Sequence, residues 1–167
     1  FLLMRDGNYN LESTFWNQFE NADTIGSLIR PDSSMVVRLK QHISQLDDGG
    51  EILTANILLR ATRVISQAEH LSPRYSVMVA NPPYMGSRNS ASVLLEFAAA
   101  HYPDTKVDLY AMFIERGLSL VQERGVIAMI TMESWMFIRS FEVLRKRILE
   151  EGSLLTMAHL GARAFDT

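Results

Sequence analysis

The sequence predicts an α/β fold in which helices alternate with short, buried strands of a mainly parallel sheet. Three apolar runs lack the alternation of a half-exposed strand, namely residues 75–80, 126–131 and 154–160. A segment with helical character precedes each run, namely residues 52–71, 108–122 and 141–151. A repeated order of helix followed by strand is typical of the crossover connections of a parallel sheet.

In the first part of the chain, the elements are assigned from caps and turn residues. Residues 1–30 hold a short helical candidate at 12–21 and are otherwise interpreted as an irregular or inserted segment. Ser33 or Ser34 is expected to cap the next helix, because a serine hydroxyl can accept from the free N–H groups of a first turn. The glycine pair that begins at Gly49 is expected to end it.

The second part of the chain carries equally clear start and stop signals. Pro73 separates the helix before it from the first strand, and a further helix is predicted at 91–101. Asp108 is expected to cap the following helix. Gly125 is expected to interrupt the chain between that helix and the second strand, and Gly152 is expected to end the helix before the third strand.

Composition excludes several functional classes. The chain has 167 residues, of which 47 % are hydrophobic and 21 % charged, which suits one globular core. It has no cysteine and four scattered histidines, so we expect neither disulfides nor a metal site. No apolar stretch is long enough to span a bilayer, and a cytoplasmic setting is expected. With a net charge of −3, any contact with nucleic acid must be local.

The most informative segment is Asn81-Pro82-Pro83-Tyr84, here called the 81–84 loop, which directly follows the first predicted strand. In open α/β sheets, ligands bind just outside the carboxyl ends of the strands. A rigid loop with polar and aromatic side chains at this position is therefore a candidate active site.

The loop suits the activation of an amine conjugated to an aromatic ring, whose lone pair is delocalised. Two acceptors facing the two N–H groups would favour a pyramidal nitrogen with a free lone pair. Asn81 offers its side-chain oxygen and Pro82 its carbonyl, held in a set direction because proline fixes φ. Pro83 stiffens the turn, and Tyr84 offers a face on which an extruded base can stack, worth roughly 1 to 3 kcal/mol. No general base or metal is required. The alternative is a plain rigid turn in which Tyr84 only packs.

Four blocks of sequence, in order, resemble the N6-adenine DNA methyltransferases. They are the 81–84 loop, the block at 108–113 (Asp-Leu-Tyr-Ala-Met-Phe), the block at 125–131 with Trp135, and the block at 159–161 (His-Leu-Gly). Within that group, the sequence is most similar to the adenine-specific methyltransferases of BREX phage-defence systems, the PglX type, and to related single-chain restriction-modification enzymes.

The resemblance implies methyl transfer from S-adenosylmethionine to N6 of a flipped adenine. It places Leu109 and Phe113 at the adenine end of the cofactor pocket, and Phe165 as a second aromatic opposite Tyr84. For all three residues, core packing is the alternative. Arg88 is the candidate for contact with a DNA phosphate, which gives affinity without sequence choice.

The resemblance is incomplete in the cofactor-binding region. The family has a glycine-rich loop after its first strand, whereas Gly49 and Gly50 lie between two predicted helices. Residues 31–167 are therefore interpreted as the C-terminal half of a Rossmann-like methyltransferase domain, the second half of a doubly wound sheet. The main cofactor loop is expected outside this chain, which we expect to be inactive alone. The expected partners are DNA, the remainder of the polypeptide and other subunits of a defence system.

Two other functions remain open. Glutamine methyltransferases acting on release factors share the tetrapeptide, because an amide nitrogen needs the same two acceptors; the block at 108–113 and Trp135 favour the DNA enzymes. The third possibility is a non-catalytic module that binds DNA or a partner, which the missing cofactor loop keeps open.

Overall fold

The computed structural model describes residues 8–47, 49–86 and 90–161. The chain forms two compact units, Phe1–Tyr75 and Ser76–Thr167, which are described separately below. The domain boundary expected at residue 30 stays a prediction. Among the described residues, no helix combines the length and apolarity needed to cross a bilayer.

The first unit is helical. Its α-helices are α1 (Tyr9–Asn17), α2 (Ala22–Ile25), α3 (Ser33–Ser44) and α4 (Ile52–Leu71), with a 3-10 turn at Gly26–Leu28. The apolar positions of α3 recur at three- and four-residue spacing, so one face of the helix is buried. That face packs against α4, and a salt bridge of 2.6 Å between Lys40 and Glu69 joins the two helices at the surface. The helix predicted at 52–71 is confirmed.

The cap of α3 differs from the prediction. The capping residue is Asp32, whose Oδ1 accepts from the backbone N–H groups of Ser34 at 2.7 Å and Met35 at 3.2 Å. The Ser34 hydroxyl donates to the same oxygen at 2.6 Å. The prediction of Ser33 or Ser34 was wrong because the carboxylate one position earlier reaches both free N–H groups of the first turn.

The second unit carries the sheet. Its elements are β1 (Tyr75–Ala80, which begins at the last residue of the first unit), α5 (Ser92–His101), α6 (Leu109–Leu120), β2 (Val121–Met129) and α7 (Glu142–Glu151). Short 3-10 turns lie at Glu133–Met136 and Arg139–Phe141. In the described part of the chain, β1 and β2 form a parallel two-stranded sheet, and α5 and α6 lie in the crossover between them. The predicted α/β class is confirmed.

The third predicted strand is absent. Residues 152–161 have no regular structure, and their apolar side chains are exposed, with Leu155 at 77 %. A strand requires a neighbour that satisfies its backbone groups, and the sheet formed by the described residues ends at two strands. The apolar run was therefore correctly identified, but its conformation was not.

The second strand also begins earlier than predicted, at Val121 instead of position 126. The chain turns sharply within it, because Arg124 has a φ of 64°. A Cβ on Gly125 would lie 2.9 Å from the Cβ of Val121 and 3.0 Å from the Gln122 carbonyl oxygen. Only glycine fits at position 125, directly after the positive φ of Arg124, without displacing the backbone.

Helix α6 lies close against the sheet. Gly117 makes this approach possible, because a Cβ there would meet Met78 Sδ at 3.1 Å and Ile127 Cδ1 at 3.4 Å. Elsewhere on α6, the buried Glu115 accepts from the Thr105 hydroxyl at 2.8 Å and pairs with Arg147 of α7 at 3.2 Å. Helix α6 is thus fixed to both the sheet and α7, and its N-terminus has a defined position beside the 81–84 loop.

Candidate active site

Hydrogen bonds fix the chain on both sides of the 81–84 loop. On one side, the carbonyl of Ala80, the last residue of β1, accepts from the N–H of Ile130, just beyond β2, at 3.2 Å. On the other side, the Met85 carbonyl accepts from the N–H of Leu109 at 3.1 Å, and Gly86 forms an antiparallel bridge with Asp108. The loop therefore lies at the carboxyl edge of the sheet and beside the N-terminus of α6.

Asp108 sets the beginning of α6 and thus the position of this second attachment. Its carboxylate accepts from the backbone N–H of Tyr110 at 3.3 Å, which confirms the predicted cap. The four residues of the loop lie between these attachments, with two prolines limiting their backbone freedom.

Within the loop, the acceptors proposed for the amine have different surroundings. Asn81 is exposed, and its Oδ1 accepts a hydrogen bond of 3.2 Å from the Tyr84 hydroxyl. Pro82 is buried, and no donor of the described residues is bonded to its carbonyl oxygen. Pro83 is exposed. Neither oxygen is thus occupied by a backbone N–H of the described residues, and the bond to Asn81 Oδ1 comes from a side-chain hydroxyl.

Tyr84 is 45 % exposed, and its ring contacts that of Tyr110 on α6. The contact is edge-to-face, with ring centroids 6.3 Å apart and an interplanar angle of 74°. This is a favoured geometry for two aromatic rings because the positive edge of one faces the negative face of the other. Tyr84 therefore presents part of its surface to solvent while its ring rests against a buried neighbour.

Tyr110 is 1 % exposed and belongs to the core cluster of the second unit, which also contains Ala111, Ile114, Phe141 and Leu144. Its hydroxyl and the Ser134 hydroxyl form a hydrogen bond of 2.7 Å. Burial raises the pKa of the Tyr110 phenol above its ordinary value. The side chain is therefore neutral at physiological pH and acts through its ring and its hydrogen bond.

The two candidate cofactor residues lie one turn apart on α6. Leu109 is 7 % exposed, whereas Phe113 is only partly buried. An exposed part of an apolar ring is what an adenine moiety would need, so Phe113 fits the predicted role more readily than Leu109. Both assignments stay predictions, with core packing as the alternative.

The other residues that the sequence singled out differ in what the structure describes of them. Arg88 and Phe165 lie outside the described residues. Trp135 packs against the core cluster, and its Nε1 donates to the Thr131 hydroxyl at 3.2 Å. His159, from the last block of the resemblance, contacts the Glu133 carboxylate in the turn after β2.

Tyr110 and Ser134 are the residues that the sequence reasoning missed. Tyr110 lies within the block at 108–113, between the two positions assigned to the cofactor, and its contact with Tyr84 is a tertiary one that spans 26 residues of sequence. The signal available was the occurrence of a tyrosine, a residue that usually needs a hydrogen-bond partner when buried, on an otherwise apolar helix face.

Comparison with known proteins defines the class to which this fold and loop belong. The chain matches the family described as Eco57I restriction-modification methylase over residues 3–165. Because the match covers nearly the whole chain, the protein belongs to this family.

Two relatives are adenine-specific methyltransferases. The chain is 41 % identical over 150 residues to the adenine-specific methyltransferase BrxX of Escherichia coli O9:H4 (strain HS), covering 88 % of this chain and 12 % of that protein. It is 45 % identical over 103 residues to the adenine-specific methyltransferase PglX of Lacticaseibacillus casei (strain Zhang), covering 62 % of this chain and 8 % of that protein. The predicted resemblance to adenine methyltransferases of the PglX type is confirmed. The chain spans only about an eighth or less of the length of these relatives.

Proposed function

We propose that this chain is the catalytic-loop part of a site-specific DNA methyltransferase that transfers a methyl group from S-adenosylmethionine to N6 of a flipped adenine. The observation that carries the proposal is the position of the 81–84 loop at the carboxyl edge of the sheet, with the Asn81 and Pro82 oxygens free of described backbone donors. Membership of the methylase family and similarity to two adenine-specific relatives support it.

In this mechanism, the loop activates the amine by hydrogen bonding. Asn81 Oδ1 and the Pro82 carbonyl each accept one N–H of the adenine amine, which disfavours conjugation of the nitrogen with the ring. Because an asparagine oxygen has two lone pairs, the substrate N–H either shares Asn81 Oδ1 with the Tyr84 hydroxyl or displaces that hydroxyl. The proton leaves only after the methyl group has been transferred, so the loop needs no ionisable residue.

Tyr84 receives the flipped base on the exposed part of its ring. Stacking on an aromatic face stabilises an extruded base by about 1 to 3 kcal/mol, and half-exposure leaves room for this contact. In this proposal, Phe165 covers the opposite face of the base, and Arg88 contacts a neighbouring phosphate.

The cofactor supplies the methyl group. On this chain, Phe113 and Leu109 would line the part of its pocket nearest the loop, since the N–H of Leu109 is bonded to Met85. We further propose that the remainder of a longer polypeptide supplies the main cofactor loop, so the isolated chain would not turn over. The short coverage of both relatives supports this. A role in host DNA modification for phage defence or restriction-modification, alongside other defence subunits in the cytoplasm, is part of the proposal.

The glutamine methyltransferase is the alternative with a specific basis, because its amide substrate needs the same two acceptors. The experiment that separates the two uses the complete polypeptide that carries this sequence, with labelled S-adenosylmethionine. Adenine-containing duplex DNA and a release-factor peptide containing glutamine are offered in parallel.

We expect label in N6-methyladenine of the duplex and none in the peptide. The matched controls are Asn81→Ala, which should lose the activity, and Asn10→Ala, which alters an exposed asparagine of α1 and should retain it. Label in the peptide alone would overturn the proposal. Binding of DNA without transfer to either substrate would favour a non-catalytic module.

A further inference from the structure

Tyr110 has no assigned function, although it is one of the least exposed large side chains of the second unit and touches the ring of Tyr84. Its ring also contacts that of Phe141, with centroids 5.8 Å apart. Tyr84 is thus hydrogen-bonded through its hydroxyl to Asn81, while its ring rests on a side chain with little freedom to move.

The Tyr110 side chain connects two parts of the carboxyl edge of the sheet. Its bond to Ser134 reaches the turn that follows β2, while its ring touches the loop that follows β1. A buried phenol without a partner costs free energy, so this hydrogen bond favours a single orientation of the ring.

We propose that Tyr110 is a positioning residue that sets the orientation of the Tyr84 ring for stacking against the target base, with Ser134 fixing Tyr110 in turn. This inference rests on the proposed function and adds to it a second layer of residues behind the base-stacking tyrosine. Tyr110 touches neither base nor cofactor. It acts through the edge-to-face contact with Tyr84, and its effect should therefore vanish when the Tyr84 ring is removed.

A double-mutant cycle tests this dependence in the complete polypeptide. The four proteins are wild type, Tyr84→Ala, Tyr110→Leu and the double variant, and the measurements are kcat for methyl transfer to duplex DNA and fluorescence of an adenine analogue at the target position. An edge-to-face pair contributes about 0.5 to 1.5 kcal/mol, so Tyr110→Leu should lower kcat about three- to tenfold when Tyr84 is present. In the Tyr84→Ala background, it should lower kcat less than about twofold.

The matched control is Tyr102→Leu, which removes another buried tyrosine of the same unit whose ring contacts Phe97. A purely structural loss should lower kcat by the same factor in both Tyr84 backgrounds. If Tyr110→Leu lowers kcat by the same factor in both backgrounds, the positioning role is wrong, while the proposed methyl transfer by the wild-type protein is unaffected.

Two milder variants keep the test informative if Tyr110→Leu does not fold. Tyr110→Phe retains the ring and loses the hydroxyl, and Ser134→Ala removes its partner. Each should lower kcat about two- to fivefold with Tyr84 present, as expected for one lost hydrogen bond, and have no further effect with Tyr84→Ala. Equal effects in the two backgrounds would again overturn the proposal.

A readout independent of activity separates failure of this inference from failure of the proposed function. Amide hydrogen exchange of residues 84–86 should become about three- to tenfold faster in Tyr110→Leu, because the loop loses the contact that orients it. Unchanged exchange at these amides would overturn the positioning role. If the wild-type protein does not methylate adenine, but exchange at these amides is still faster in Tyr110→Leu than in the wild type, only the proposed function is overturned.

Discussion

At the scale of single residues, the bond between the Tyr84 hydroxyl and Asn81 Oδ1 has a direct consequence for catalysis. The hydroxyl donates to the same oxygen that the adenine amine is proposed to use, at 3.2 Å. An asparagine oxygen has two lone pairs, so the substrate N–H either shares this acceptor or displaces the hydroxyl. We therefore propose separable roles for the two parts of Tyr84, with the ring stacking on the base and the hydroxyl bonded to Asn81 in the resting loop.

Substitution of Tyr84 separates these two roles. Tyr84→Ala should reduce extrusion of the target base by about 1 to 3 kcal/mol, because the stacking face is lost. Tyr84→Phe keeps the face and should leave extrusion within about threefold of wild type, since only the hydrogen bond to Asn81 is removed. Fluorescence of a base analogue at the target adenine measures both. Equal losses in the two variants would show that the hydroxyl, and not the ring, holds the base.

The sequence was sufficient to find the 81–84 loop, because two prolines between an asparagine and a tyrosine after an apolar run form a local pattern. Tyr110 was not predictable as its neighbour, because their contact depends on how α6 lies against the sheet. That arrangement depends on the absence of a side chain at Gly117, where an added Cβ would meet Met78 and Ile127, and a single glycine in the sequence does not indicate it.

At the scale of elements, the helices were the most predictable part of the fold. Helices α4 to α7 lie close to their predicted bounds, because periodic apolar positions, the Asp108 cap and Gly152 act within one or two turns. The prediction of a strand at 154–160 was wrong because a strand depends on a neighbouring strand, which is often distant in the sequence.

The cap of α3 predicts a pH-dependent stability. The hydrogen bond from the Ser34 hydroxyl, with those from the Met35 and Ser34 backbones, holds the pKa of Asp32 below its ordinary value of 3.8. Its stabilisation is therefore complete above 3.8 and is lost as the pH falls through the lower folded pKa. Asp32→Ala should lower the free energy of unfolding by about 1 kcal/mol near neutral pH, measured by urea denaturation.

Asp32→Asn provides the control for charge. An asparagine caps about as well as an aspartate, so this variant should remain close to wild type near neutral pH and lose the acid-dependent part of the stability. The free energy of unfolding of both proteins is measured above and below pH 3.8. If it changes with pH by the same amount in the wild type and in Asp32→Asn, the assignment of the cap is contradicted.

The turn at Gly125 predicts a local intolerance to a side chain. Gly125→Ala places a Cβ 2.9 Å from that of Val121 and 3.0 Å from a backbone oxygen, neither of which lies at the end of a flexible side chain. We expect a loss of about 1 to 3 kcal/mol in the free energy of unfolding.

Gly117→Ala is the comparison for this turn. Its Cβ would meet the mobile Met78 sulfur at 3.1 Å, and alanine favours a helix over glycine by about 1 kcal/mol. The free energy of unfolding should therefore fall less in Gly117→Ala than in Gly125→Ala. The opposite order would show that β2 adapts more readily than α6.

At the scale of the whole molecule, the sheet exposes apolar residues that a complete enzyme is proposed to cover. Val77 and Val79 of β1 are 57 % and 76 % exposed, and they lie on one face because alternate strand residues point the same way. Both relatives are far longer than this chain. The proposed contribution of this chain is the loop that holds the amine, while the main cofactor loop lies elsewhere in the polypeptide.

The turnover of Asn81→Ala in the complete polypeptide tests this division of labour most directly. Single-turnover methylation of duplex DNA and equilibrium binding of S-adenosylmethionine are measured side by side for the variant and the wild type. We predict that the rate falls about 100- to 1000-fold, as for the loss of one preorganised hydrogen-bonding group, while cofactor affinity is nearly unchanged. An unchanged rate, or a collapse of cofactor binding, would contradict the role of Asn81 as an acceptor for the amine.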